Sequence, residues 1–190
     1  VPPAMLCSVF FLWGAVMGAR YLVTKNITFD HRSLAAIEIG FILCVLATLT
    51  GMIFAKAQWG AFWEWDPRQT SILIQLMIYA SYFALRHGFD DRERMSKVSA
   101  SFAIFAFASV PFLIWALPRI PAIANMSKHA GANQAVIGGG LDSTYRLTFY
   151  LSLVVIFLAF SYAYQLRARQ ADESYQKELE HERDSDAGTS

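Results

Sequence analysis

Twelve residues, Trp59-Gly60-Ala61-Phe62-Trp63-Glu64-Trp65-Asp66-Pro67-Arg68-Gln69-Thr70, place three indoles, a phenyl ring, carboxylates and a guanidinium between two long apolar runs. Anchoring to a bilayer requires less, because single Trp or Tyr residues at helix ends already form an aromatic belt. Trp63 and Trp65, two apart, project to opposite sides of an extended segment but converge where the chain turns, and Asp66-Pro67 is a turn start. Arg68 offers a planar two-pronged contact to a carboxylate. Asp66, as an anion, is instead assigned to capping a turn or helix, or to orienting Arg68. An interfacial aromatic belt with a helix cap is the plainer alternative.

A flat, apolar macrocycle with two carboxylates, namely heme, requires aromatic faces, donors for its carboxylates and an axial ligand for its metal, which His, Cys, Met or Tyr can supply. The chain has four histidines. His31 and His87 fall on the opposite side of the membrane from the Trp segment in the topology derived below, and His181 lies in a charged tail. His129 alone shares a face with the tryptophans. A loop histidine is more often solvated than ligating, but this one is the sole imidazole available there. Met126 is a weaker ligand candidate whose ordinary role is packing.

These residues sit in a membrane protein. The 190 residues are 55% hydrophobic, 15% aromatic and only 16% charged, and mean hydropathy is positive, a composition with too little charge for a soluble domain of this size. A net charge of +1 without a basic block argues against nucleic acid as a partner. Cys7 and Cys44 lie in apolar runs, and neither C-x-x-C nor C-x-x-C-H occurs. Thiol oxidoreductases of that type and c-type cytochromes are thereby excluded.

A spanning helix needs about 20 mostly apolar residues, and five stretches supply them or nearly so: 1–23, 34–56, 71–86, 98–117 and 145–166. The third has the least apolar composition, but Ser71, Gln75 and Ser81 are tolerable against neighbouring helices, and Thr70 is expected to cap its first turn. The predicted fold is thus an all-α membrane bundle over 1–166, followed by a polar tail, 167–190, expected to extend briefly as helix and fray into disorder. Arg20, Lys25 and Arg32 separate the first two spans, Arg86, Arg92, Arg94 and Lys97 the next pair, and Arg167 and Arg169 follow the fifth. The positive-inside rule makes those places cytoplasmic. The segments 57–70 and 118–144 then share the outer, periplasmic face of a bacterial inner membrane and can build one site.

Other residues have plainer roles. Asp90 and Asp91 are expected to cap the fourth span, with a cytoplasmic docking surface as the alternative for 86–92. Glu38 is an acid near a membrane boundary, a functional suspect that is nonetheless close enough to the cytoplasmic end to reach water. Pro111 should bend the fourth helix, Pro118 and Pro121 should end it, and Gly138-Gly139-Gly140 should give the outer loop a flexible turn.

The run Trp59-Gly60-x-x-Trp63-x-Trp65-Asp66-Pro67-Arg68-x-Thr70 resembles the signature of the tryptophan-rich, heme-handling superfamily of cytochrome c biogenesis proteins. Phe89-Asp90-Asp91-Arg92 looks most like its heme exporter protein C (cytochrome c maturation protein C) branch. The resemblance implies a six-helix inner-membrane protein that presents heme b on a periplasmic loop formed by Trp59, Gly60, Trp63, Trp65, Asp66 and Arg68. It implies two axial histidines, His129 matching the second and the first standing just ahead of Val1 on a helix upstream of this sequence. It further implies work beside ABC transporter subunits and a small membrane subunit, and transfer of heme to a periplasmic heme chaperone. The expected role is heme binding and delivery, with no bond made and hence no enzyme activity. The alternatives are a cytochrome c heme lyase subunit of the same superfamily, whose members carry more spans and a large outer domain, and a non-heme scaffold whose Trp loop only anchors.

Overall fold

The computed structural model describes residues 2–128 and 142–188. Its long helices are α1 (Pro2–Thr24), α2 (Ile27–Trp59), α3 (Pro67–His87), α4 (Arg92–Val110) and α6 (Ser143–Gly188). After α4 the chain passes through a π-helical turn, Pro111–Ala116, a 3-10 turn, Leu117–Arg119, and the short α5, Pro121–Ala124. Among the described residues the protein is an all-α bundle. The stretches α1, α2, 92–119 and α6 are each long and apolar enough to cross a membrane. Helix α3, the polar one of the five expected spans, falls short of that measure and lies against α2 and α4, with Ser71, Gln75 and Tyr79 buried.

Helix α1 packs along α2 and touches α4 and α6. Water does not drive helices together inside a bilayer, so close packing through small residues has to do so. A Cβ on Gly14 would stand 2.6 Å from Ile37 Cγ1, and one on Gly40 2.7 Å from the Phe11 ring. The Ser33 hydroxyl donates to the Gly14 carbonyl at 2.8 Å across the same seam. Phe11 lies parallel to Tyr79 with centroids 3.6 Å apart, which brings α3 into a core that also holds Leu43, Ala103 and Val110.

Polar contacts at the end of the bundle that collects Arg and Lys fix the helix order. Arg86 of α3 grips Asp30 of α2 through both terminal guanidinium nitrogens, at 3.0 and 2.5 Å, and the Ser96 hydroxyl of α4 donates to the same carboxylate at 3.0 Å. All three residues are buried. Such a charge pair persists in a low-dielectric setting only when its remaining lone pairs are satisfied, and Ser96 supplies that contact.

Three expectations about boundaries are corrected. Helix α2 begins at Ile27 rather than near residue 34, because the Asn26 side chain accepts the Thr28 N–H at 3.0 Å and Asp30 is neutralised by Arg86, so the polar stretch stays helical. Helix α3 begins at Pro67 with Asp66 as its cap, which puts Thr70 inside the first turns with its hydroxyl directed at the Trp65 carbonyl, 3.4 Å away. The tail is no short fraying extension either, since α6 continues without a break to Gly188. Arg167 pairs with Glu38, Asp172 with His31 at 2.6 Å, and Glu178 with Arg92 at 2.5 Å. Asp91 caps α4 as expected, by accepting the N–H groups of Glu93 and Arg94, but the helix loses its α geometry already at Pro111, so Pro118 falls in the 3-10 turn and Pro121 opens α5 rather than ending the fourth helix. Cys7 and Cys44 are free, buried thiols. Gly138, Gly139 and Gly140 lie outside the described residues.

Candidate functional site

The Trp segment is a short connection between α2 and α3, and its shape follows from two residues with positive φ. Gly60, at φ +84°, ends α2: its N–H bonds back to the Lys56 carbonyl at 3.1 Å, and Lys56 Nζ donates to the Gly60 carbonyl at 2.7 Å. A left-handed glycine is the usual way for a helix to stop. The second turn falls on Trp65, at φ +57°, a conformation uncommon for a non-glycine residue and a pointer to a functional constraint. This turn makes the two indoles converge, with Trp63 and Trp65 edge to face at a centroid distance of 5.7 Å. Trp63 is partly covered, whereas Trp65 is 70% exposed. Trp59 stands at the end of α2, edge-on to Phe54 at 5.9 Å.

Asp66 holds this segment to the connection that follows α5. One carboxylate oxygen accepts the Arg68 N–H at 2.9 Å, which caps α3. The other accepts the Ser127 hydroxyl and the Lys128 N–H, both at 2.8 Å. Asp66 and Ser127 are buried, and Lys128 makes an ion pair with Glu64. The Glu64 N–H in turn donates to the Gln69 side chain at 3.0 Å, so the loop is braced from both sides. The expected capping role of Asp66 is thus present, together with a link to residues 127 and 128 that sequence reasoning missed. His129 itself lies outside the described residues, although its chain neighbour Lys128 is bonded directly to the Trp segment.

Arg68 leaves the first turn of α3, ahead of the apolar stretch 71–86. Its Nε is buried without a hydrogen-bond partner, as is the indole N–H of Trp63. Burial lowers the guanidinium pKa, the Asp66 carboxylate raises it, and the neighbouring Arg119 lowers it again. Arg119 lies over the Trp115 ring at 5.4 Å and donates to the Trp115 carbonyl. Sequence reasoning also missed Arg119, whose only signal was a lone cation between Pro118 and Pro121.

The buried, unpartnered Nε of Arg68 and indole N–H of Trp63, in a segment where two indoles converge, suit a planar apolar ligand that carries carboxylates. Unsatisfied buried donors carry a cost of about 1–3 kcal/mol each, which such a ligand would relieve. The donor set therefore fits heme as cargo: aromatic faces for the ring, and Arg68 with the Trp63 N–H for its polar edge.

Residues 1–174 match the family model described as heme exporter protein C. The chain is 28% identical over 177 residues to the heme exporter protein C of Paracoccus denitrificans, covering 89% of this chain and 69% of that protein. It is 30% identical over 163 residues to the protein of the same name from Bradyrhizobium diazoefficiens, covering 85% of this chain and 58% of that one. The relative from Escherichia coli K12 matches at 33% over 79 residues, 42% of this chain and 32% of its own length. The aligned part thus spans 69%, 58% and 32% of these three relatives' own lengths. On the match across residues 1–174, the chain belongs to the heme exporter protein C family.

Proposed function

We propose that this chain forms the heme-presenting part of a multi-pass subunit of the bacterial inner membrane that delivers heme b for c-type cytochrome maturation. The observation that carries the reading is Asp66, which caps the helix bearing Arg68 with one oxygen and holds the peptide leading to His129 with the other. Trp59, Gly60, Trp63 and Trp65 then supply a turn and an aromatic shelf for the porphyrin face. Arg68 meets a propionate, and His129 provides an axial imidazole for iron. The chain makes and breaks no covalent bond in the cargo. Weakening of the axial bond on docking of a periplasmic heme chaperone releases the heme, while ABC transporter subunits and a small membrane subunit complete the complex. Family membership and the similarity to proteins named heme exporter protein C support this assignment.

The test is heme content. Protein purified from heme-replete membranes should show a Soret band, and Trp63→Ala and Arg68→Gln should each lower the heme-to-protein ratio several-fold. A parent protein with no Soret band would overturn the reading in favour of an anchoring scaffold.

A further inference from the structure

Away from the Trp segment, a groove of about 300 Å³ opens at the Arg- and Lys-rich end of the bundle, between α2, α3 and α6. It is lined by Glu38, Ile39, Phe41, Ile42, Phe83 and Arg167. Two observations define it. Its lip is an ion pair that is not closed off: Arg167 Nε and one terminal nitrogen donate to the two Glu38 oxygens at 2.7 and 3.0 Å, yet the side chains remain 43% and 26% exposed. The rest of the lining is hydrocarbon, with Phe41 and Phe83 edge to face at 5.3 Å and Ile42 largely exposed beside them.

Arg167 directly follows the apolar stretch 145–166, which sets the ion pair at headgroup level, and Phe41 and Ile42 lie a turn deeper along α2. We propose that this groove binds a zwitterionic phospholipid with a primary ammonium headgroup, of the phosphatidylethanolamine type. The second terminal nitrogen of Arg167 is available to a phosphate oxygen, and the Glu38 carboxylate keeps lone pairs for an ammonium group. The two charges therefore match a headgroup that carries both signs, while an acyl chain lies along Ile39, Ile42 and the two phenyl rings. A porphyrin fits less well, because Glu38 repels propionates and the lining contains no imidazole, thiol or thioether for iron. The bound lipid would hold α6 to α2 and α3 in that leaflet.

The test uses the full chain in nanodiscs containing equal phosphatidylethanolamine and phosphatidylglycerol, with lipids retained after extraction counted by native mass spectrometry. The parent should retain phosphatidylethanolamine several-fold over phosphatidylglycerol. Glu38→Gln should reverse the preference, because the freed guanidinium then favours an anionic lipid. Ile42→Trp, a change on a membrane-exposed position that leaves folding intact, should fill the groove and abolish retention without altering heme bound at the Trp segment. Equal retention of both lipids by the parent, or undiminished retention by Ile42→Trp, would overturn the proposal. So would a porphyrin that Ile42→Trp displaces.

Discussion

Two aspartates, one at each end of the bundle, show how much a single side chain decides here. Asp66 joins two connecting segments 61 residues apart in sequence. Asp66→Ala removes a helix cap, worth about 1 kcal/mol, and leaves the Ser127 hydroxyl and Lys128 N–H without their acceptor. The expected result is a modest loss of thermal stability in detergent with a several-fold loss of bound heme, read by calorimetry and by pyridine hemochrome on one sample. At the other end, Arg86 neutralises a carboxylate that is almost wholly buried. Arg86→Met should cost roughly 3–5 kcal/mol by stranding Asp30, and Asp30→Asn in the same chain should recover part of it. A double-mutant cycle in thermal unfolding measures both. The capping role of Asp66 was legible in the sequence, because Asp-Pro before an apolar run is a local helix-start signal. Its second role was not, since a contact over 61 residues leaves no local pattern, and Asp30 likewise gave no sign of its partner in α3.

At the scale of elements, four of the long helices were readable from apolar length and α3 only nearly so, and the errors fell at their polar ends. The beginning of α2 was missed because Asp30 and His31 look like loop residues until Arg86 and Asp172 are seen opposite them. Hydropathy also misjudged the tail: Glu, Lys, Arg and Gln read as disorder by charge, but they are strong helix formers, and α6 needs only contacts such as Glu178 with Arg92 to stay docked. Exposed pairs of this kind contribute about 0–1 kcal/mol. A chain truncated after Tyr175, which keeps the partner of the buried His31, should therefore lose little stability and keep its heme, as thermal unfolding and Soret absorbance would show. The seam between α1 and α2 tolerates far less. Gly40→Ala would drive a methyl group into the fully buried Phe11 ring, and overpacking of this sort costs about 1–3 kcal/mol, visible as a lower unfolding temperature.

For the whole molecule, the distribution of Arg and Lys predicts the direction of insertion proposed above, and both connections tied by Asp66 lie at the opposite end of the bundle from Asp30. Single cysteines test this directly, because the native thiols Cys7 and Cys44 are fully buried and give little background. A membrane-impermeant maleimide applied to intact spheroplasts should label Met126→Cys and leave Arg94→Cys unlabelled until the membrane is opened. The reverse pattern would place the Trp segment on the cytoplasmic side.

If the Trp segment and the connection leading to His129 close on one iron porphyrin, as proposed, the spectrum of that iron will report it. Electron paramagnetic resonance of the ferric, heme-loaded chain should show an imidazole-ligated signal that His129→Ala removes and added imidazole restores. A His129→Ala spectrum identical to that of the parent at equal heme content would mean that another group holds the iron.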